Sequence, residues 1–318
     1  MELGFWLKWQ MDYLYFLQCF RDTSCHVFDK FFIYITMCGE ILIPLIIICL
    51  LYWTINKRIG RFVLWSYLFG FLVNLFAKMT ACIYRPWILD SRIHPLEHAI
   101  PKATGYSFPS GHTAGVMSTW GGVAVSFWNN KIIRCFCFFI ILSVMISRNY
   151  LGVHTPQDVI FSFIISIFIL WGTYSLIKWE EEKDGRDLIV LGGVFTAILI
   201  TMLYITFKSY PIHYLFGKIL YNPCSYKIEA FTKAGFMFGS FLGWFIEKRF
   251  IGFNPERGTI LKKIARFVLG ICILSCLHSA GHLLSVYSWA NCGMFIQYFV
   301  MGLFVTCIYP FIVEKWNL

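Results

Sequence analysis

Ser147-Arg148-Asn149-Tyr150-Leu151-Gly152-Val153-His154-Thr155-Pro156-Gln157-Asp158 joins the end of one apolar run, 132–149, to the start of another, 157–177. Each run approaches the roughly twenty residues that cross a bilayer core as a helix. The junction is therefore a tight polar turn between two membrane helices. It sets Arg148 at the end of one helix, His154 in the turn and Asp158 at the start of the next. From His154 to Asp158 is about one helical turn, the distance at which a carboxylate accepts from one imidazole nitrogen. That bond fixes the tautomer and leaves the other nitrogen a better nucleophile. Arg148 adds a planar fork that suits two phosphate oxygens at once.

Composition carries the bilayer reading to the whole chain. Its 318 residues are 58% hydrophobic and only 14% charged, where a soluble domain carries about 25%. Hydropathy predicts nine spans, at 31–54, 62–84, 111–128, 132–149, 157–177, 188–208, 231–247, 266–287 and 294–313. The expected fold class is thus an all-α polytopic membrane protein. Its divisions are an N-terminal segment 1–30, a five-helix core 31–180 and a four-helix extension 181–318, forming one structural unit. Phe5 to Phe20 mixes Trp6, Trp9 and Tyr13 with Lys8, Gln10 and Asp12, which predicts a helix lying at the interface. Met1 to Gln10 lacks the pattern of a cleaved signal, so the first span is expected to drive insertion.

Charge sets an expected orientation. With the N-terminus outside, the inner segments 56–61, 129–134, 178–187, 247–266 and 314–318 hold 15 of the 27 Lys and Arg residues in about half the residues of the outer segments. The positive-inside rule then places the 147–158 turn on the outer face and the C-terminus in the cytoplasm. The run Lys178 to Asp187 reads as a solvated inner loop. A net charge of +10 reports orientation and anionic lipid rather than nucleic acid in such a chain. Most of the twelve cysteines lie in apolar runs as small hydrophobes; Cys19, Cys25, Cys224 and Cys292 fall in polar or boundary segments.

Two further phrases are predicted to sit on the same face. Lys78 and Arg85, seven residues apart, project from nearly one side of the second helix, which Pro86 ends. Lys78 lies about 10 Å below that end at about 1.5 Å of rise per residue, deep enough to demand a counter-charge. Pro109-Ser110-Gly111-His112 opens another helix. Backbone N–H groups at such a start, with a glycine allowing close approach, form an anion site, and Ser110 could add a donor. His112 follows as a second acid/base group.

Taken together, the three phrases resemble the signature of the type 2 phosphatidic acid phosphatase superfamily over about 31–177. Its members include lipid phosphate phosphatases, prenyl-diphosphate phosphatases and vanadium haloperoxidases. The resemblance implies a metal-independent phosphatase with His154 as nucleophile forming a phosphohistidine, Asp158 orienting it and His112 as general acid and then base. It implies Lys78, Arg85, Ser110, Gly111 and Arg148 as the phosphate grip, no cofactor and no metal, and inhibition by phosphate or vanadate. The span count, Asn74-Leu75, Trp87 to Asp90 and the glycines Gly235, Gly239 and Gly243 also resemble glucose-6-phosphatase. That enzyme lacks a carboxylate where Asp158 stands, which favours a lipid phosphate or diphosphate at the outer face over a sugar phosphate. Phosphotransfer to an acceptor alcohol shares the first half-reaction. An anion transporter needs neither nucleophile nor orienting carboxylate, and the haloperoxidases are soluble.

Weaker signals remain. Glu40, near mid-depth of the first helix, is a functional candidate whose depth pairs it with Lys78. His278 and His282 share a helix face, where packing outweighs metal binding; His94, Glu97 and His98 shape a loop, and Arg92 and Lys102 either extend an anion funnel or face water.

Overall fold

Inside hydrocarbon each backbone N–H and C=O must be satisfied within its own segment, and helix is how this chain does it. The computed structural model describes residues 4–101, 103, 105–211, 214–215, 218–219, 223–285 and 290–316. In chain order the helices begin with α1 (Phe5–Thr23), α2 (Asp29–Ile35), α3 (Leu42–Leu50), α4 (Lys57–Ala81) and the short α5 (Pro86–Leu89). There follow α6 (Gly111–Val116), α7 (Gly122–Ser126), α8 (Lys131–Tyr150), α9 (Pro156–Glu181) and α10 (Arg186–Phe207). The last four are α11 (Pro223–Ile246), α12 (Ile260–Ser285), α13 (Ala290–Leu303) and α14 (Tyr309–Trp316). Two two-residue strands, β1 (Tyr214–Leu215) and β2 (Lys218–Ile219), pair antiparallel.

Among the described residues, five helical stretches are long and apolar enough to cross a membrane: Lys57–Leu89, Lys131–Tyr150, Pro156–Glu181, Arg186–Phe207 and Cys292–Trp316. A sixth arises if Asp29–Gly39 and Leu42–Ile55, bent by 51°, form one span. Nine crossings are therefore not reached among the described residues. The expected span at 111–128 is a continuous helical run from Gly111 to Ser126, with a π-helical turn at Met117–Gly121, and falls short of the roughly twenty residues of a crossing. The one expected at 266–287 runs beyond the described residues.

The chain divides into two compact units. The first comprises Met1–Leu45, Trp65–Thr173 and Tyr210–Tyr221. Here α1 exposes Trp6, Trp9 and Phe16 while Met11 and Leu14 bury against Ile93. Its polar face grips the loops near the 147–158 turn. Gln10 and Gln157 exchange two hydrogen bonds of 3.1 Å, and Arg21 donates to the carbonyl of His94 at 3.2 Å. Arg92 makes ion pairs of 2.8 Å with Asp12 and with Asp90. The 3-10 turn Thr36–Gly39 crosses α6 at two glycines. A Cβ on Gly39 would stand 2.6 Å from the carbonyl oxygen of His112, and one on Gly115 would stand 2.6 Å from that of Gly39.

The second unit comprises Ile46–Leu64, Tyr174–Ser209 and Asn222–Leu318. Gly235 and Gly239 of α11 face the carbonyls of Phe295 and Phe299 on α13, and Gly302 of α13 faces that of Phe236. Small residues at the crossing allow this backbone approach, the common device where lipid offers no hydrophobic drive to association. The run 178–187 is not simply solvated, contrary to the sequence reading. Glu180 and Asp187 are buried: Glu180 pairs with Arg61 at 3.0 Å and with Lys248, and Asp187 pairs with Arg249 at 2.7 Å. Those cations need counter-charges once the helices pack, and the acidic run supplies them.

Candidate active site

Local chemistry explains how the 147–158 turn is built. Gly152 takes φ of +72°, which L residues rarely adopt, and lets the chain reverse after α8. Thr155 and Pro156 then start α9 as N-cap and first helical residue, with Asp158 at the third position. The Thr155 N–H donates to Asp158 Oδ2 at 2.9 Å and the Asp158 N–H donates to Thr155 Oγ1 at 3.3 Å. Oδ2 also accepts from Ser107 Oγ at 2.5 Å and lies 3.2 Å from His154 Nδ1. With Nδ1 donating to the carboxylate, His154 Nε2 carries the lone pair. Asn149 steadies the turn by donating to the His154 carbonyl at 2.8 Å.

Around that nitrogen the expected cations converge. Arg85 Nη1 lies 3.0 Å from His154 Nε2 and donates to the Val153 carbonyl at 2.8 Å; Arg85 Nε donates to that of Gly105 at 3.1 Å. Lys78 donates to the carbonyls of Tyr106 and Ser107 at 2.8 and 3.3 Å. These bonds draw the loop before α6 onto α4, and both cations are buried. Arg148 donates to Thr36 Oγ1 at 2.9 Å, while its Nε is buried with no hydrogen-bond partner among the described residues. Burial above all, then the charges of Arg85, Arg148 and Lys78, push the His154 imidazole well below its ordinary pKa. It is therefore held neutral.

Ser110 caps α6, its hydroxyl accepting from the Thr113 N–H at 3.4 Å, and its own N–H donates to the Asp158 carbonyl at 3.1 Å. This second bond ties the start of α6 to the start of α9. Gly111 stands at the first helical position, with Asn74 Oδ1 3.8 Å from where its Cβ would be. His112 Nε2 is buried without a hydrogen-bond partner among the described residues and lies 3.7 Å from a carboxylate oxygen of Glu40. Glu40, expected by depth to face Lys78, thus stands beside His112. An unsatisfied Arg148 donor among buried cations fits an anion with several oxygens.

The three phrases are similar to a known family. The chain matches the PAP2 superfamily over residues 60–182, and the PAP2 superfamily phosphatase, transmembrane extension, over residues 231–318.

The chain belongs to the PAP2 superfamily.

With the apolar helices of its fold, this makes it an integral membrane protein. An undecaprenyl-diphosphatase of Sulfolobus acidocaldarius is 30% identical over 130 residues, 41% of this chain and 58% of that relative. The undecaprenyl-diphosphatase BcrC of Bacillus subtilis is 29% identical over 147 residues, 45% of this chain and 72% of that relative. The chain thus spans less than two thirds of the length of the first of these. No solved structure gives a significant match.

Sequence reasoning passed over Ser107, Thr36 and Asn149. Thr155 was legible as an N-cap three residues ahead of Asp158. Ser107 and Thr36 carry no pattern, since each reaches its partner across the fold. The residues outside the three phrases do other things. His278 is exposed, and Tyr298 Oη lies 3.4 Å from its Nδ1. The side chains of His282 and Cys224, and all of Lys102, lie outside the described residues. Cys19, Cys25 and Cys292 are free thiols.

Proposed function

We propose that this chain is a membrane phosphatase that hydrolyses a phosphomonoester or diphosphate carried by a lipid. The observation that carries this reading is His154, with Asp158 on one ring nitrogen and Arg85 3.0 Å from the other. A neutral imidazole whose free nitrogen already faces a phosphate-binding cation is arranged for in-line attack on phosphorus. His154 Nε2 forms a bond to phosphorus as the ester P–O bond breaks, and the departing alkoxide takes a proton from His112. Water then attacks the phosphohistidine, its proton passing to His112, and phosphate leaves with His154 restored. Arg85, Arg148 and Lys78, with the N–H groups at the start of α6, offset the charge on the equatorial oxygens.

The lipid class is supported by two relatives named as diphosphatases of a prenyl alcohol. It is supported too by a site at helix ends, where a head group enters while its tail stays in the bilayer. We place that site on the outer face and retain nine crossings, from the Lys and Arg distribution and hydropathy of the sequence. The test is phosphate release by purified protein against lipid phosphates, prenyl diphosphates and hexose phosphates, with His154→Ala as control. Release from lipid substrates that the control abolishes is expected. Release from hexose phosphates alone would move the chain to the sugar-phosphate branch. A labelled acceptor in place of free phosphate would make it a transferase, and anion flux surviving His154→Ala would make it a transporter.

A further inference from the structure

Glu40 sits where the first membrane helix is broken. The bend of 51° falls between Gly39 and Leu42, and Glu40 itself is extended, with φ of −82° and ψ of 162°. A straight helix would continue past α6. The break instead turns the carboxylate towards His112, 3.7 Å from its Nε2. The Gly39–Gly115 crossing fixes that approach by backbone contact, so the pairing does not depend on two mobile surface chains. Thr36, one turn earlier on the same segment, holds Arg148. A single broken helix thus serves two site residues.

The electrostatics call for such a group. His112 must carry a proton to release an alkoxide, yet it stands within the field of Arg148, Arg85 and the His154 ring. Two neighbouring cations oppose a third. Asp158 is already engaged with His154, Ser107 and Thr155. Among the described residues Glu40 is the other carboxylate at the site, and an acid placed within a membrane helix is costly unless it has such a role.

Resting on the phosphatase reading, we propose that Glu40 is a positioning residue for His112, forming a second carboxylate–imidazole pair that orients the general acid and favours its protonated form. Glu40 faces Nε2 at 3.7 Å, so Nδ1 is the atom that gives its proton to the leaving oxygen and regains one from water. Glu40 keeps its charge and transfers no proton.

The test exploits the leaving group. Dodecyl phosphate needs its departing oxygen protonated, whereas p-nitrophenyl phosphate expels a stable phenolate. Glu40→Gln should lower kcat on the alkyl ester by about 100-fold or more, the usual worth of general acid catalysis, with less than about fivefold loss on the aryl ester and little change in either KM. Glu40→Asp should recover part of the alkyl rate. In a His112→Ala background, Glu40→Gln should cost nothing further. Equal losses on both esters in the Gln and Asp variants, or no loss on either, would overturn the proposal. If the unaltered protein releases phosphate from neither ester nor from any lipid phosphate, it is the phosphatase reading that falls.

Discussion

Thr155 and Asp158 cap the first turn of α9 for each other, and the Asp158 oxygen that receives the Thr155 N–H is also the one beside His154 Nδ1. One carboxylate oxygen therefore starts a membrane helix and sets the tautomer of the proposed nucleophile. The helix start places Asp158 one turn from His154, and Ser107 closes on it from the loop before α6.

Removing that charge should affect both roles. Asp158→Asn is expected to slow phosphohistidine formation by about 100- to 10,000-fold, as loss of an orienting carboxylate does elsewhere. It should also cost about 1 kcal/mol of stability through the weakened cap. Ser107→Ala removes one donor and leaves the cap intact, so it should slow phosphorylation without lowering Tm as far. Single-turnover labelling and thermal unfolding in detergent measure the two effects separately.

How much of this was written along the chain depends on the range of each contact. His154, Asp158 and the Thr155 cap lie within one helical turn, and their relation is visible as spacing. Lys78 and Arg85 share a helix face for the same reason. Their partners were not legible. Lys78 bonds carbonyls of Tyr106 and Ser107, which no side-chain pattern announces. Glu40 was singled out by depth, but its place beside His112 was not legible, because the break after Gly39 is not signalled by a proline at that position. Hydropathy likewise found the long helices, while the helical run from α6 to α7 ends at Ser126, short of the expected 128. In the acidic run 178–187, composition cannot tell a solvated glutamate from one buried against Arg61.

Acid should inactivate this protein later than an ordinary histidine would. His154 is held below its usual pKa of about 6.5 by burial and by Arg85, Arg148 and Lys78, so it stays neutral and nucleophilic through that value as pH falls. The acid limb of kcat/KM is expected below about pH 6. The same depression makes stability decline from about pH 6.5 downward, because the unfolded imidazole takes a proton that the folded one refuses, and the decline ends at the folded pKa. Arg85→Gln removes one cation and should move the acid limb upward while slowing turnover by about 100-fold or more. Rate profiles over about pH 4 to 8 read both shifts; an unmoved limb would mean that Arg85 does not act on His154.

The crossing of the Thr36–Gly39 turn with α6 has no slack. A methyl on Gly39 meets the backbone of His112 at 2.6 Å, and backbone cannot swing aside as a side chain does. Gly39→Ala is expected to cost about 1–3 kcal/mol, the usual penalty for overpacking. Because it shifts His112 and Glu40 against the phosphate grip, turnover should fall by about 10- to 100-fold. Gly172→Ala, inside α9, meets nothing within 4 Å and serves as the matched control, with unchanged rate and a Tm that does not fall.

Removing chelatable metal should leave the rate unchanged, because Lys78, Arg85 and Arg148 already supply the charge that a divalent ion would bring to the phosphoryl oxygens. Turnover in excess EDTA is the measurement, with vanadate as the companion probe. Vanadate adopts the five-coordinate geometry of the transferring phosphoryl group when bound to a ring nitrogen, so it should inhibit competitively, and His154→Ala should abolish its binding. Arg148 should matter more for vanadate than for substrate: its buried Nε offers a donor that strengthens as charge builds on the equatorial oxygens. Arg148→Lys, which keeps the charge and loses the fork, is therefore expected to raise the vanadate inhibition constant about 10- to 100-fold while changing substrate KM by less than about threefold.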